Sequence, residues 1–471
     1  MPHYSVITSE VRSRIREAVG EQALVLEPEK LEAFAKDGTD ISCLPELVVE
    51  ASSAEQIQAL LRLANEYRFP VTPRGLGTGL AGGSVPIRRG VVLSLSKMNR
   101  ILSLDGQNLI GVVEPGVVNL DFKKAARALG LFYPPDPASL DTCSLGGNAA
   151  TNAGGPACVK YGTTRDYVLG LEAVLPSGER IRTGVKTRKG VVGYDLTRLI
   201  VGSEGTLGII TELTLKLIPH PPAVTTLVAL FPQLVSAMEG VTSILLRGHT
   251  PCALEIMDRH CIDLIGDLLP FEGVREAGAF LLVELDGAPE VIEREIEQIG
   301  TICMECDAVN VLMAPDSNKR TRMWQVRKEV SLRIEHSSAL YVAEDVVVPI
   351  GRIAELVNSL PQLEARYSMK IYSFGHAGDG NIHLNITAEN KAAAQRVENG
   401  IGEILKRVIE MGGTLSGEHG IGLAKSRFLP LELSRESILL QRKIKRLFDP
   451  RLILNPGKIC EALPGDSTKE G

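Results

Sequence analysis

The chain has 471 residues, of which 44% are hydrophobic, and a net charge of −6. At about 100–200 residues per domain that length spans two or three domains with ample material for cores, and an acidic balance without any Lys/Arg-rich block excludes nucleic acid as a main partner. No apolar run approaches the roughly 18 residues of a membrane span, the first residues lack the apolar stretch of a signal peptide, and eight scattered cysteines read as reduced cytoplasmic thiols rather than a disulfide framework.

The first element is an amphipathic helix over Ser9–Val19. "LVVE" is a short strand, and Ser52 with Glu55 forms a capping-box pattern that opens a helix through Tyr67. "PVTPRG" is the next strand, and a glycine-dense loop follows it. "GVVLSL", "RILSLD" and "LIGVVEPG" read as strands at short spacing, and "LDFKKAARALG" as a helix ended by Gly130. Regular structure is sparse from Pro134 to Gly155, and long segments of that kind are usually functional. "LGLEAVLPSGERIRTG" is a hairpin turning at Pro176-Ser177-Gly178, and "LTRLIVGSEGTLGIITELTLKLIP" is a helix, a glycine break and a strand.

The Pro-rich join Pro219–Ala223 marks a domain boundary. Beyond it, strands ("TTLVALFP", "ALEIMD", "AFLLVELDG", "ALYVAEDVVVP", "IYSFGHAGDGNIHLNI") alternate with amphipathic helices, including "SNKRTRMWQVRKEVSLRI". That grammar predicts an α+β domain of ferredoxin-like type. The single CxxC, Cys303 and Cys306, reads as a chance pair on a buried strand, since a structural zinc site needs four ligands. The chain closes with a helix, "SRESILLQRKIKRLFDP", and an extended tail, "RLILNPGKIC".

Two of only eight histidines lie in "YSFGHAGDGNIHLNI". Asp379-Gly380 is a strong two-residue hairpin signal. With those residues as the turn, Gly378 faces Asn381, Ala377 faces Ile382, and His376 faces His383. Opposite residues share a side, and Asn385 joins them two residues on. Two imidazoles at that separation suit a divalent metal with at least one more ligand. "LSGEHGIG" offers Glu418 and His419, flanked by glycines that allow close backbone approach. A His, His, Glu set with open positions is catalytic in style. The competing reading is two ordinary histidines paired by coincidence on one hairpin.

Five glycines lie between Pro73 and Pro86. Successive N–H groups in such a loop form a nest that suits a pyrophosphate. It is neither a Walker A loop nor a Rossmann fingerprint, because no regular helix follows. Alone, a loop of this kind is commonly a connection. Together with "PPDPASLDTCSLGGNAATNAGG" it makes two long small-residue loops that can hold an extended dinucleotide.

"PVTPRGLGTGLAGG", "PPDPAS", "SLGGNAATNAGG", "YGTTRDYVLGLEAVLPSGE", "GYDLTRLIVGSEGTLGIITE", "GHAGDGNIHLN", "GEHGIG" and "NPGK" occur in that order from Pro45 to Lys458. Together they resemble the FAD-linked oxidoreductases of the vanillyl-alcohol oxidase superfamily, in the branch of glycolate oxidase D-subunits and flavoprotein D-lactate and D-2-hydroxyglutarate dehydrogenases. The resemblance implies a PCMH-type FAD-binding domain of two α+β lobes over residues 1–220. It implies a ferredoxin-like substrate domain with the metal site over 221–425, and a segment returning to the FAD domain over 426–471. It assigns Arg74, Gly75, Gly77, Thr78 and Gly79 to the FAD pyrophosphate. Pro135, Asp136, Ser139, Gly146, Gly147, Thr151, Asn152 and Gly155 run beside the cofactor. Glu204, Gly205, Ile209 and Ile210 lie near the adenosine half, and Asn455 near the isoalloxazine. The pyrophosphate loop has no histidine, so FAD is expected to be non-covalent.

The same resemblance implies oxidation of a small D-2-hydroxy acid, lactate or glycolate, with hydride passing to the flavin. Arg327 anchors the carboxylate. His376, His383 and Glu418 hold zinc, iron or manganese, His419 is the base, and Asn385 orients the substrate or the metal shell. Relatives with a distal carboxylate use a lysine where this chain has Ala343 and Glu344, which disfavours D-2-hydroxyglutarate. An iron–sulfur subunit or an electron-transferring flavoprotein is the expected acceptor. The protein is expected to be cytoplasmic or membrane-associated through that partner, and it can be oligomeric. The rival classes are a metallohydrolase built on the His/His/Glu set, an alkyl transferase of the same superfamily, and a flavoprotein that only relays electrons.

Overall fold

The computed structural model describes residues 4–187, 189–269, 272–314 and 316–462. Its contacts divide the chain into one unit of residues 1–154, 163–220 and 418–471 and another of residues 155–162 and 221–417.

In the first unit, Ile57, Leu60, Leu61 and Ala64 recur at helical spacing and are fully buried on the helix Ala54–Tyr67. The cap sits one residue later than the sequence pattern suggests. Ser53, not Ser52, accepts the N–H of Gln56, while the Gln56 side chain reaches back to the Ser52 N–H. Both positions are serine, so propensity alone could not separate them. This helix and the helix Ser9–Val19 pack on a four-stranded sheet in the order Leu24–Val25, Leu47–Glu50, Val91–Ser94, Val71–Arg74, the last three parallel. Every residue of Val91–Ser94 is buried, as an interior parallel strand requires.

The second sheet of this unit is antiparallel, in the order Ile101–Asp105, Ile110–Val113, Ile209–Lys216, Val168–Val174, Arg180–Gly184. Its last two strands form the hairpin expected at Pro176-Ser177-Gly178, closed by Gly178 N–H to Leu175 O. The segment from Pro134 to Gly155 is more regular than its composition suggests. Residues Leu145–Thr151 are helical because Ser144 caps the helix by accepting the Gly147 N–H. The C-terminal tail returns to the first sheet, where Leu454 bridges Val71 in parallel.

The second unit is built on a seven-stranded antiparallel sheet. Its order is Asn310–Met313, Ala223–Phe231, Ala279–Gly287, Ala253–Asp258, Lys370–His376, Asn381–Ala388, Leu340–Val347. One face packs against the helices Leu234–Leu246, Pro289–Glu305, Ile353–Tyr367 and Ala394–Glu410. On the other face the apolar part, including Val228, Met257, Leu282, Tyr372 and Phe374, lies under the helices Arg259–Ile265 and Ser317–Glu335. Period-two alternation places Glu255, His376, His383 and Asn385 on that second face. The CxxC pair is helical rather than extended: Cys303 is buried within Pro289–Glu305 and Cys306 caps its end.

Candidate active site: a glycine-walled cleft and a buried histidine patch

In the first unit a cleft of about 340 Å³ opens along the two glycine-rich segments. Of the expected cofactor residues, Arg74, Gly75, Gly77, Thr78, Gly79, Ser139, Gly146, Gly147, Thr151, Glu204, Gly205, Ile209 and Ile210 line it, and Glu418 and His419 lie on its wall. Among the described residues, the backbone N–H groups of Gly75, Leu76, Gly77, Thr78 and Gly79 donate to no protein group. Five adjacent donors left open on a cavity wall form an anion nest. The glycines are sterically required. Gly77 has φ 77°, and a Cβ there would sit 2.0 Å from the Arg74 guanidinium. A Cβ at Gly75 would meet Ser144 Oγ at 2.4 Å, and one at Gly146 would meet Pro115 at 2.4 Å. The walls therefore fit the pyrophosphate of a dinucleotide.

Arg74, on the cleft wall, also anchors the loop that follows it. Its guanidinium turns into the protein, donating to Lys36 O at 2.7 Å and Ala33 O at 3.3 Å, and lies over the Phe34 ring. It braces the loop beside Gly77.

Pro135, Asp136, Asn152, Gly155 and Asn455 are not on the cleft wall. Pro135 O accepts from Asn119. Asn152, left-handed at φ 54°, caps the helix Leu145–Thr151 and accepts from Thr163 Oγ1 and Arg165 N–H. Asn455 donates to Gly83 O at 3.0 Å and Glu204 O at 2.8 Å, which pins the tail behind the glycine loop.

Glu204 joins two motifs that are far apart in sequence. Its carboxylate accepts the N–H groups of Ile421 and Gly422, both at 2.8 Å. "SEGTLG" thereby fixes the loop "GEHGIG" and sets His419 on the cleft wall. Burial pushes the Glu204 carboxyl up, against the opposing pull of those two N–H groups. Lys458 of "NPGK" is 2% exposed and donates to Val85 O. Burial pushes its ammonium down to about 7, although Asp37 and Glu204 favour the charged form. Asp37 also lines the cleft, and its Oδ2 is buried with no hydrogen-bond partner among the described residues. Neither Asp37 nor Lys458 was singled out from the sequence as a site residue, because each gains meaning only from the other and from Glu204.

In the second unit the histidine hairpin has a different register from the one the turn signal implies. His376 faces Asn381, and His383 faces Phe374. The loop is four residues long, Ala377 to Gly380, closed by Asp379 N–H to His376 O and by the Asp379 carboxylate accepting the Asn381 N–H. Gly380 takes the left-handed position at φ 85°. A slip of two residues preserves parity, so both imidazoles still share a face. Their rings meet edge to face at 5.2 Å.

Asn385 lies on the same face, 3% exposed, and its Oδ1 accepts the Tyr341 hydroxyl at 2.6 Å. Its Nδ2 is buried and has no hydrogen-bond partner among the described residues. Burial raises the Tyr341 phenol to about 12, so it remains a donor. Ala343 faces Asn385 across the strands, on the same side.

Arg327 reaches this face from the helix Ser317–Glu335. It is 9% exposed, stacks on Phe374 at 4.3 Å, and donates its Nε–H to Glu255 Oε2 at 2.8 Å. Its two terminal amino groups make no further hydrogen bond among the described residues. Glu255, too, was not singled out from the sequence. It is fully buried, and its Oε1 lies 2.5 Å from His376 Nδ1. Burial raises its carboxyl, but His376 and Arg327 outweigh that and hold it at about 2. The one available signal was a charged residue inside the apolar strand "ALEIMD".

Gly417 N–H donates to Asp345 Oδ2 at 2.9 Å, and Asp345 faces His383. Glu418 is the next residue. His376 and His383 bring two imidazoles onto one face of the second unit, and Glu418 belongs to the first unit. Two imidazoles and a carboxylate are a donor set of the kind that suits a divalent ion.

Comparison with known proteins agrees with these features. Residues 45–184 match the FAD binding domain family and residues 220–459 the family described as FAD linked oxidases, C-terminal domain. The chain is 42% identical over 418 residues to the glycolate oxidase subunit GlcD of Bacillus subtilis, covering 88% of this chain and 89% of that one. It is 39% identical over 475 residues to a D-lactate dehydrogenase of Anaerostipes hadrus, covering 98% and 99%. A solved p-cresol methylhydroxylase shares the fold at TM-score 0.81 and 18% identity, covering 98% of this chain and 99% of that one. An alkyldihydroxyacetonephosphate synthase shares it at TM-score 0.75 and 19% identity, covering 97% and 86%. The chain is an FAD-linked oxidoreductase with a PCMH-type FAD-binding fold and belongs to the FAD-linked oxidase family.

Proposed function

We propose that this chain oxidises a small D-2-hydroxy acid, D-lactate or glycolate, to the 2-oxo acid with FAD as hydride acceptor, and passes the electrons to a protein partner. The observation that carries the reading is Arg327, a buried guanidinium whose two terminal amino groups have no hydrogen-bond partner among the described residues, next to the histidine patch. A planar two-pronged donor suits a carboxylate. The relatives named glycolate oxidase subunit and D-lactate dehydrogenase support the same substrate class.

The residues divide the work as follows. Arg327 binds the substrate carboxylate and fixes the orientation of the adjacent C–H. Asn385 offers its open Nδ2–H to the bound acid while Tyr341 holds its Oδ1. His376, His383 and Glu418 would hold zinc, iron or manganese, which would supply a Lewis acid to lower the pKa of the substrate hydroxyl. His419, next in the chain to Glu418, accepts the hydroxyl proton. The open N–H groups of Gly75 to Gly79 bind the cofactor pyrophosphate, and bound FAD supplies the two-electron acceptor. No histidine lies in that loop, in keeping with non-covalent FAD.

Ala343 stands on the site face where a distal carboxylate would call for a cation, which favours a monocarboxylate over D-2-hydroxyglutarate. The word "subunit" in the name of the Bacillus relative supports a protein partner for the electrons, an iron–sulfur subunit or an electron-transferring flavoprotein. Among the described residues no helix is long and apolar enough to cross a membrane. The test is dye-linked turnover with D-lactate, glycolate and D-2-hydroxyglutarate compared at equal concentration. Turnover with one of the first two and little with the third is expected. A preference for the dicarboxylate would overturn the substrate assignment.

A further inference from the structure

Glu255 and His376 are cross-strand partners at the centre of the second unit's sheet. The Glu255 carboxylate is fully buried and divided between two donors. Oε2 takes Arg327 Nε–H at 2.8 Å and Oε1 takes His376 Nδ1 at 2.5 Å. A buried carboxylate on a two-sided hydrogen-bond fork is costly to desolvate, and it is retained where it fixes the geometry of its partners. Phe374, two residues before His376, holds the other side of the same guanidinium at 4.3 Å.

We infer that Glu255 is a positioning residue that sets the tautomer of His376 and ties it to the carboxylate anchor Arg327. An imidazole that gives its Nδ1–H to Glu255 presents an unprotonated Nε2, the form that can ligate a metal. The same carboxylate fixes the Arg327 fork, so the metal ligand and the anchor share one reference point. This inference rests on the metal reading proposed above.

Arginine makes the test sharp, because it only donates. In Glu255→Gln the amide oxygen must face Arg327 Nε–H, which turns the amide NH2 toward His376 Nδ1. The imidazole then has to accept at Nδ1 and carry its proton on Nε2, where it blocks the metal. Gln is nearly isosteric with Glu, so the sheet packing is kept.

The experiment titrates Zn²⁺ alone into metal-free, FAD-loaded protein, wild type and Glu255→Gln. The expected result is a dissociation constant raised by about 10–100-fold in the variant, with the flavin spectrum unchanged. In parallel, ¹⁵N-histidine spectra of the metal-free protein at pH 8 report the tautomer, with His376 assigned from a His376→Gln control. Wild type should show Nδ1–H and the variant Nε2–H, a change that loss of packing alone would not produce. Unaltered Zn²⁺ affinity in the variant, or a wild-type His376 protonated on Nε2, would overturn the inference. The wild-type spectrum needs no variant, so it decides the matter even where Glu255→Gln does not fold. Failure of wild type to bind Zn²⁺ while showing the Nδ1–H tautomer would instead remove the metal reading and leave Glu255 as an orienting residue only.

Discussion

The imidazoles of His376 and His383 meet edge to face at 5.2 Å although they are not cross-strand partners. They are diagonal neighbours on one face of an antiparallel pair, a relation that brings side chains within reach when the residues are aromatic. Replacing either by Ala removes one imidazole from the proposed metal ligands. Bound metal should fall below stoichiometric levels and turnover should drop by at least about 10²-fold, while FAD, held by the other unit, stays bound. Metal analysis beside the flavin absorbance checks this, and full turnover in a metal-depleted His376→Ala protein would contradict it.

Gly77 is the tightest point of the glycine loop. It needs φ 77° and has no room for a Cβ beside the Arg74 guanidinium. Gly77→Ala must displace Arg74, break its bonds to Lys36 O and Ala33 O, and misalign the N–H nest. FAD affinity should fall by at least about 10-fold, on the order of 1–3 kcal/mol for a strained backbone site. Titration of flavin-free protein with FAD, followed by flavin fluorescence, measures it.

Much of this was legible in the sequence, and the rest was not for identifiable reasons. The helix Ser9–Val19 and the strands at Leu47–Glu50 and Val71–Arg74 follow from local periodicity. The hairpin and the shared face of His376 and His383 follow from a turn signal and a period of two. The register did not follow, because Asp379 uses its own carboxylate to hold the Asn381 N–H and lengthens the loop. The role of Glu255 was not legible, because its partners Arg327 and His376 lie 72 and 121 residues away. Glu204 lines the cleft, and its second task, accepting the N–H groups of Ile421 and Gly422, 217 and 218 residues on, was not legible locally. Local patterns specify elements and faces, whereas long-range hydrogen bonds decide what each polar residue does.

Arg327→Lys keeps the charge but loses the planar fork and the stack on Phe374. KM for D-lactate or glycolate should rise by at least about 10-fold, equivalent to about 1.4 kcal/mol, with bound FAD unaffected. Steady-state kinetics with an artificial dye acceptor give the comparison. An unchanged KM would remove Arg327 from the carboxylate site.

Lys458 gives a pH prediction with a definite sign. Its folded pKa is held at about 7, below its ordinary 10.5, by burial. Between those values the unfolded chain binds a proton that the folded protein has released, so this group's contribution to stability rises as pH rises through the window. Lys458→Met removes the penalty. The variant's gain in Tm over the parent, in flavin-free protein, should be largest at or below pH 7 and shrink toward pH 10. A gain that is flat across the window would contradict the assignment.

The most direct test of the central claim is the visible spectrum of the purified, FAD-loaded protein under strict anaerobiosis, before and after adding D-lactate and, separately, glycolate. The flavin bands should bleach on addition of one of these acids and return when an electron acceptor is added. Flavin that stays oxidised with both acids, in protein shown to hold FAD and metal, would contradict it.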